Sequence, residues 1–374
     1  KGKNRRLVFD LLRERGQMSR AEITRDTGMS FPTAMKVVDA FLEKGLLVEL
    51  DETGPAAGAG RKGRLLRFEP GAYRAVGVEC EGRFARVGLA DMAGGVQARE
   101  TIELGDFART RDLSPLAAAI RRMCAAANGA PVLGVCIGFP ANLDPDAAAI
   151  VSYAAMDIQQ PTSFAQVFPA FWREVELPVY LENDANLACE GEAFLRRGAG
   201  GAANMLYLSI GSGCGGAVRL DGKLRRGARC RAGEVGAMLL QPALGAPGRS
   251  AARETLEDAV CLAALERRFG AALRDGAQPG EASAQAMRDY LCGPLSGAVY
   301  SLVMTLDVEL CVLAGIVPGA LGMQLCTQVS EALRAALPES TPVRVEPSVS
   351  ADAGVIGAAA TVFERSLDAL LGSG

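Results

Sequence analysis

The sequence predicts an α/β protein in which an N-terminal winged helix-turn-helix precedes a two-lobed body. Its 374 residues exceed one typical domain. The first 70 residues are basic and rich in helix signals, and strands that end in glycine turns follow in two similar series. We therefore expect a DNA-binding unit at 1–70, a first lobe at 71–198 and a second lobe with a helical insert at 199–354, with a last helix near 355–372 packing back on the first lobe.

Charge is divided unevenly along the chain. Residues 1–70 contain 14 Lys and Arg against 10 Asp and Glu, whereas the rest contains 26 against 33. A basic unit joined to an acidic body indicates that the first part contacts a polyanion. The sequence shows neither a signal peptide nor an apolar run long enough to span a bilayer, so we expect a cytoplasmic protein without membrane contact.

The chain contains no histidine and ten cysteines, none of them in CxC or CxxC spacing. The lack of histidine excludes His-based triads and His metal ligands. The cysteine spacing argues against a disulfide framework and against a Cys-rich zinc site. Any proton transfer therefore falls to carboxylates, Lys, Tyr or Cys.

Three short helices are predicted near the N-terminus. Apolar residues within 4–14 share one helical face, and SRAE (19–22) is a capping box that starts a second helix. Ser30 is expected to cap a third, with Pro32 tolerated in its first turn. Two such helices joined by a tight turn indicate a helix-turn-helix.

A predicted hairpin of strands 46–50 and 64–70 follows, joined by a glycine-rich turn with cations at its tip, which is typical of a wing. In such a domain the outward residues of the third helix enter the major groove, and wing cations meet phosphates. The alternative is a small helical domain with solvated lysines. We expect DNA contacts from six residues: Ser30, Thr33, Lys36, Arg61, Lys62 and Arg64.

The body contains two series of strands and turns. A three-strand meander (74–104) and strands at 131–142 and 177–186 form the first. Strands within 204–224 and 308–320 form the second. Two such series with crossover helices imply two α/β lobes and a cleft between them.

The order of six motifs resembles the ROK family (repressors, open reading frames, kinases) of the actin-like, sugar-kinase (ASKHA) superfamily, and in particular its repressors. The resemblance covers nearly the whole chain and implies a two-lobed actin-like body. Its motifs are GRKGRLLRF (60–68), GFPAN (138–142), LENDAN (181–186), IGSGCGG (210–216), GKLRRGARCRAGEVG (222–236) and AGIVPG (314–319).

The resemblance also implies ligand-binding residues. In family kinases the aspartate of the END motif is the base that activates a sugar hydroxyl, and Asp184 matches it, with Asn183 beside it. Glu234 and Glu257 match positions that hydrogen-bond sugar hydroxyls, a task that carboxylate oxygens suit. The alternative is that these carboxylates are helix caps or surface ion-pair partners, which for Glu257 is an equally good interpretation.

Two departures from the family pattern argue against phosphoryl transfer. Where family kinases carry an Asp-x-Gly-Gly-Thr turn, this chain has residues 79–83, which place the anion Glu81 at the expected phosphate position and the bulky Arg83 at the expected hydroxyl. The glycine turn of Gly211, Gly213 and Gly215 remains, as a vestigial nucleotide loop.

The second departure concerns the family zinc site. Ala237 stands at the family's His position, and residues 238–257 contain neither Cys nor His. The resemblance therefore implies a protein without ATP, zinc or any other cofactor.

These observations predict a non-enzymatic repressor that binds double-stranded operator DNA and a sugar or sugar-derivative effector. The resemblance implies a homodimer or a dimer of dimers. The segment 251–301 is the candidate interface, although its apolar faces could equally form core. Two alternatives remain open at this point: an active ATP-dependent carbohydrate kinase, and a regulator whose body only dimerises.

Overall fold

The structure is a computed structural model. It describes residues 2–53, 64–197, 201–240, 254–270, 273 and 279–371. Within these ranges no helix is both long and apolar enough to cross a membrane.

The N-terminal unit is a winged helix-turn-helix, as predicted. Its three strands form an antiparallel sheet in the order β1-β3-β2. The capping box is confirmed, because the Ser19 hydroxyl accepts from the Glu22 amide while Glu22 accepts from the Ser19 amide. Ser30 occupies the cap position of the third helix, but its hydroxyl bonds the Thr33 hydroxyl (2.8 Å) and caps no backbone amide, so that part of the prediction was wrong. The elements are α1 (Gly2–Arg15), β1 (Gln17–Ser19), α2 (Arg20–Thr27), α3 (Phe31–Glu43), β2 (Leu47–Thr53) and β3 (Arg64–Phe68).

The first lobe is built on a five-stranded sheet in the order β11-β7-β4-β5-β6. Its meander is antiparallel, and the two later strands add in parallel. The elements are β4 (Arg74–Glu81), β5 (Phe84–Asp91), β6 (Val96–Glu103), α4 (Phe107–Thr110), α5 (Ser114–Ala125), β7 (Val132–Phe139), β8 (Asn142–Asp144), β9 (Ala149–Ser152), β10 (Thr162–Ser163), α6 (Phe164–Val167), α7 (Pro169–Glu174), β11 (Val179–Asn183) and α8 (Asp184–Leu195).

The second lobe repeats this plan with a sheet in the order β14-β13-β12-β15-β16. An antiparallel meander again receives two parallel strands, so the predicted two-lobed α/β body is confirmed. The elements are β12 (Met205–Ile210), β13 (Cys214–Leu220), β14 (Lys223–Arg225), α9 (Leu256–Val260), α10 (Leu262–Phe269), α11 (Glu281–Leu306), β15 (Leu310–Ala314), α12 (Ile316–Leu321), α13 (Met323–Ala336) and β16 (Arg344–Pro347). The C-terminal helix α14 (Ala353–Leu370) follows and packs on the first lobe.

The long helix α11 belongs mainly to the second-lobe core. Its buried face, which includes Leu291, Leu295 and Val299, packs with α13 in one apolar cluster. The apolar face of this part of the candidate interface therefore forms core, while Tyr300 and Met304 stay exposed.

Glycines allow α14 to pack closely against α8. A methyl group at Gly191 would overlap the carbonyl oxygen of Ala353, and one at Gly357 would overlap that of Leu187. Further along, α14 shares an apolar cluster with α1, since Phe363 and Leu367 belong to it together with Phe9. The last helix therefore joins the first lobe to the winged helix-turn-helix.

Candidate functional site

A cleft of about 1200 Å³ separates the two lobes. Its first-lobe wall is formed by the ends of β4 and β11 and the start of α8. The second-lobe wall includes the turn between β12 and β13 and the start of α9. The four residues predicted to bind a ligand all line this cleft: Asn183, Asp184, Glu234 and Glu257.

Asn183 fixes the point at which β11 ends and α8 begins. As the helix cap, its Oδ1 accepts from the Asn186 amide (3.1 Å), and its Nδ2 donates to the Ala141 carbonyl (3.3 Å). Both ends of the side-chain amide thus hold the backbone that presents Asp184 to the cleft.

Asp184 is the first residue of α8, and its Oδ1 accepts from the Ala185 amide (2.9 Å). Burial raises the pKa of its carboxyl to about 6, and the negative charges of Glu81 and Glu234 add to the rise. At neutral pH the group is therefore mostly ionised but readily protonated. Such a carboxylate can accept a hydrogen bond from a ligand hydroxyl and, in suitable company, its proton.

Glu234 faces Asp184 from the second lobe, and burial raises the pKa of its carboxyl. Asn142, with its amide oriented as its neighbours require, donates to Glu234 Oε1 (2.7 Å) and accepts from the Ser152 hydroxyl (3.0 Å). Asn142 was not among the predicted site residues. Its only signal was its place as the last residue of GFPAN.

Two carboxylates flank the surviving glycine turn between β12 and β13. Glu257 Oε2 accepts from the Cys214 amide (2.8 Å) and would lie 2.9 Å from a methyl group at Gly213. Glu81, from the other lobe, would lie 3.1 Å from a methyl group at Gly211. The turn thus has a negative charge on each side. Gly215, the third glycine named above, faces Ala185 at the start of α8.

The altered first-lobe turn carries its own counter-charge. Glu79 lies directly opposite Arg86 in the β4–β5 ladder, and Arg86 donates to Glu79 (3.1 Å) and to Glu81 (3.4 Å). Burial raises the pKa of Glu79 to about 7, although Arg86 opposes the rise. The expectation for Arg83 was wrong, because its side chain is 69% exposed and turns to Glu103 (2.9 Å) on β6, outside the cleft. The role of Arg86 as the partner of Glu79 and Glu81 was not predicted from the sequence.

The sequence pattern of the ROK family matches residues 75–365. The chain belongs to the ROK family. It is 27% identical over 237 residues to a xylose repressor of Caldicellulosiruptor bescii, a match that covers 62% of this chain and 57% of the repressor. It is 34% identical over 141 residues to a glucokinase of Halalkalibacterium halodurans, covering 36% and 40%. The matches thus span about half the length of these relatives.

Solved ROK structures share the fold. A ROK family transcriptional regulator, a homologue of the E. coli MLC protein, superimposes with a TM-score of 0.76 at 17% identity, over 99% of this chain and 98% of that one. The ROK hexokinase of Thermus thermophilus superimposes with a TM-score of 0.60 at 26% identity, over 78% and 98%. The predicted fold class is therefore confirmed.

The glutamate of the ROK motif LENDAN joins the two lobes. Glu182 is buried, with Oε1 accepting from the Asn183 amide (3.0 Å) and from Asn186 Nδ2 (2.9 Å). Its Oε2 accepts from Arg226 Nε (2.7 Å) in the second lobe. This pair was not predicted, because its members lie 44 positions apart in the sequence.

The residues present do not fit the zinc site that the resemblance to the ROK family implies. Ala237 provides no ligand, and no Cys or His follows between Met238 and Glu257. Within the part of the chain that the structure describes, no three His, Cys, Asp or Glu side chains are gathered so that they could hold a metal ion.

The predicted DNA-contacting residues of this ROK protein lie on the surface where the structure describes them. Ser30, which precedes α3, and Lys36 on α3 are exposed and Thr33 is half-buried, whereas Phe41 on the inner face of the helix is buried. Arg64 is 62% exposed and pairs with Glu49 (3.3 Å). Arg61 and Lys62 lie outside the described residues.

Proposed function

We propose that this ROK protein is a DNA-binding transcriptional repressor whose body binds a sugar or sugar derivative and does not transfer phosphate. The observation that carries the proposal is the winged helix-turn-helix joined to a ROK body. The likeness to the ROK transcriptional regulator spans 99% of the chain, whereas the Thermus hexokinase spans 78%. The similarity to a protein named as a xylose repressor supports the same proposal.

The cleft chemistry supports a hydroxylated ligand. Asp184 Oδ2, Glu234 and Glu257 supply carboxylate oxygens, which accept hydrogen bonds from neighbouring hydroxyls of one polyol. Asn142 holds Glu234 in place, and Asn183 does the same for the start of α8. A sugar ring meets these requirements, and closure of the lobes around it is the event that the DNA-binding unit would detect.

The glycine turn supports the absence of phosphoryl transfer. A triphosphate placed there would lie beside the carboxylates of Glu81 and Glu257, one on each side of the turn, and like charges repel. Arg86, the nearby cation, is already engaged by Glu79 and Glu81. Under the proposal, the cleft therefore does not bind ATP.

For DNA, Ser30, Thr33 and Lys36 lie where the third helix of such a domain enters the major groove, and Arg64 lies at the base of the wing. We infer a homodimer or a dimer of dimers, because two such units read two half-sites.

The first test is binding to DNA. The full chain is used to select sequences from a random duplex pool, and fluorescence anisotropy then gives their affinity at fixed salt. Replacing Lys36 by Ala should weaken binding by about tenfold or more, as the loss of one groove contact does. Lys223→Ala, an exposed lysine on β14, is the matched control and should leave affinity unchanged. Failure to select any sequence would refute the proposal.

The second test is ligand binding. A thermal-shift screen compares monosaccharides, amino sugars, polyols and their phosphates with and without Mg-ATP. The proposal expects a rise in Tm with at least one sugar, lost in Asp184→Asn and insensitive to Mg-ATP. Absence of any shift, with DNA binding intact, would instead favour a body that only dimerises.

An active carbohydrate kinase is the second candidate. The pKa of about 6 at Asp184 suits a general base near neutral pH, and a glucokinase is among the relatives. Sugar-dependent release of ADP by the purified chain, abolished in Asp184→Asn, would establish this activity and overturn the proposed loss of phosphoryl transfer.

A further inference from the structure

One helix connects the ligand cleft with the DNA-binding unit. α8 begins at Asp184 in the cleft and ends at Leu195, so its twelve residues span about 18 Å at 1.5 Å per residue. Its last turn carries Phe194, which is buried. A side chain from α1 of the winged helix-turn-helix packs on the Phe194 ring.

That side chain is Arg13. Its guanidinium lies 4.9 Å from the ring centroid of Phe194 and 5.1 Å from that of Phe9 on its own helix. Arg197, just after α8, also lies over the Phe194 ring, at 3.9 Å. The Arg13 side chain is only 4% exposed, so this contact is a dry junction between α1 and α8.

Some hydrogen-bond donors at this junction have no protein partner among the described residues. Arg13 Nη2 donates to Asp10 (2.8 Å), but among the described residues Nε and Nη1 are buried without a hydrogen-bond partner. Burial lowers the pKa of Arg13 to about 10, and the positive charge of Arg197 contributes. Buried donors without partners cost free energy, whereas water would satisfy them. A small displacement of α8 therefore changes the balance between a packed and a released Arg13.

The second lobe is attached to the same turn of α8. Glu192 is fully buried, and its Oε1 accepts from the Val349 amide (3.0 Å) while its Oε2 accepts from Arg196 Nε (2.9 Å). Arg196 Nη2 donates to the Pro347 carbonyl (2.7 Å), at the end of β16. Movement of the second lobe about the cleft thus acts on the turn that carries Phe194.

We propose that the contact between Arg13 and Phe194 transmits changes in the cleft to the DNA-binding helices. The inference rests on the proposed function, since it assigns the route by which ligand binding reaches the DNA-binding unit. α8 contacts both the cleft and α1, and the proposal requires two arrangements of Arg13: packed on Phe194, as in the structure, and released from it. Arg13 acts on DNA binding through α1, so it is a positioning residue.

Hydrogen exchange of the full chain tests the route without needing DNA. The cleft end is perturbed by Asp184→Asn, and exchange is followed in α1, residues 2–15, by mass spectrometry. In the wild-type background we expect Asp184→Asn to change α1 exchange by about fivefold or more, the lower range of common allosteric couplings. In the Arg13→Met background the same change should fall below about twofold.

Two further variants make the result specific. Arg15→Met is the matched control, because Arg15 also lies on α1 but is 55% exposed and pairs with Asp26 of α2 (3.7 Å); it should preserve the response. Phe194→Leu keeps an apolar side chain in the junction and should act like Arg13→Met, which guards against a folding defect in one variant.

An unchanged response in Arg13→Met and Phe194→Leu would overturn the route, and so would the absence of any α1 response to Asp184→Asn in the wild type. Loss of DNA selection would refute the proposed function alone, since the exchange experiment judges the route without it.

Discussion

At the scale of single residues, burial raises the pKa of three carboxyls that line the cleft, those of Asp184, Glu234 and Glu79. The folded-state pKa of Asp184, about 6, lies above the ordinary Asp value of about 3.9. The folded protein therefore binds this proton more tightly than the unfolded chain. The free energy of unfolding accordingly falls as pH rises from about 4 through 6, where the buried carboxyl becomes charged.

We predict that Asp184→Asn stabilises the protein above pH 7 and has little effect at pH 4. Removing the buried charge should raise the free energy of unfolding by about 1–3 kcal/mol at pH 8, since each unit of pKa shift corresponds to about 1.4 kcal/mol. Urea unfolding at the two pH values measures it. Asp39→Asn, an exposed aspartate on α3, should show no such pH-dependent gain. Equal stability of Asp184→Asn and wild type at pH 8 would contradict the buried charge.

Two arginines of the β4–β5 hairpin, Arg83 and Arg86, provide a second test. Arg86→Met leaves Glu79 without its partner and should lower the free energy of unfolding by about 1–3 kcal/mol at pH 8. The loss should shrink below pH 6, where Glu79 is protonated. Arg83→Met removes an exposed pair with Glu103 and should cost less than about 0.5 kcal/mol. Equal effects of both substitutions on denaturant unfolding would show that the buried pair of Arg86 and Glu79 stabilises the protein no more than an exposed pair does.

These residues also show where sequence reasoning ends. The capping box of Ser19 and Glu22 was predictable because both partners lie within one helical turn. The hydrogen bond of the Ser30 hydroxyl was not predictable, because the Thr33 hydroxyl takes the place of a backbone amide as its partner. The roles of Arg83 and Arg86 depend on the register of the hairpin, which pairs Glu79 with Arg86, and a family motif read along the chain does not specify that register.

At the scale of elements, the close contact of α8 and α14 depends on missing side chains. Gly191 sits inside α8, where glycine is intrinsically unfavourable by about 1 kcal/mol relative to alanine. It is explained by the carbonyl of Ala353, which occupies the space that a methyl group would need. The helix accepts a poor residue because α14 approaches there.

We predict opposite effects for two glycine-to-alanine substitutions in helices. Gly191→Ala should lower the free energy of unfolding by about 3 kcal/mol or more, because the two helices must separate. Gly297→Ala in α11 meets open space and should be neutral or stabilise by about 0.5–1 kcal/mol through helix propensity. Thermal and urea unfolding of both variants measure the difference. A destabilisation of similar size in both would mean that helix propensity, not the crossing, sets the cost.

At the scale of the whole molecule, the repeated strand order was predictable and the connections between parts were not. Two meanders with parallel additions follow from the alternation of strands, glycine turns and helices along the chain. The pairs that join the parts, Glu182 with Arg226 and Arg13 with Phe194, connect residues far apart in sequence, and no local pattern specifies them. Asp184, by contrast, was found by motif, and the structure places it in the cleft.

The central claim is that one chain couples a sugar-binding cleft to a DNA-binding unit without phosphoryl transfer. The most direct measurement is fluorescence anisotropy of the full chain on its selected DNA at fixed salt, with and without D-xylose, D-glucose and the best ligand from the thermal screen. The account predicts that at least one sugar changes the DNA affinity by about fivefold or more without ATP. An affinity that no sugar alters, in a sample that releases ADP from ATP when sugar is added, would contradict it.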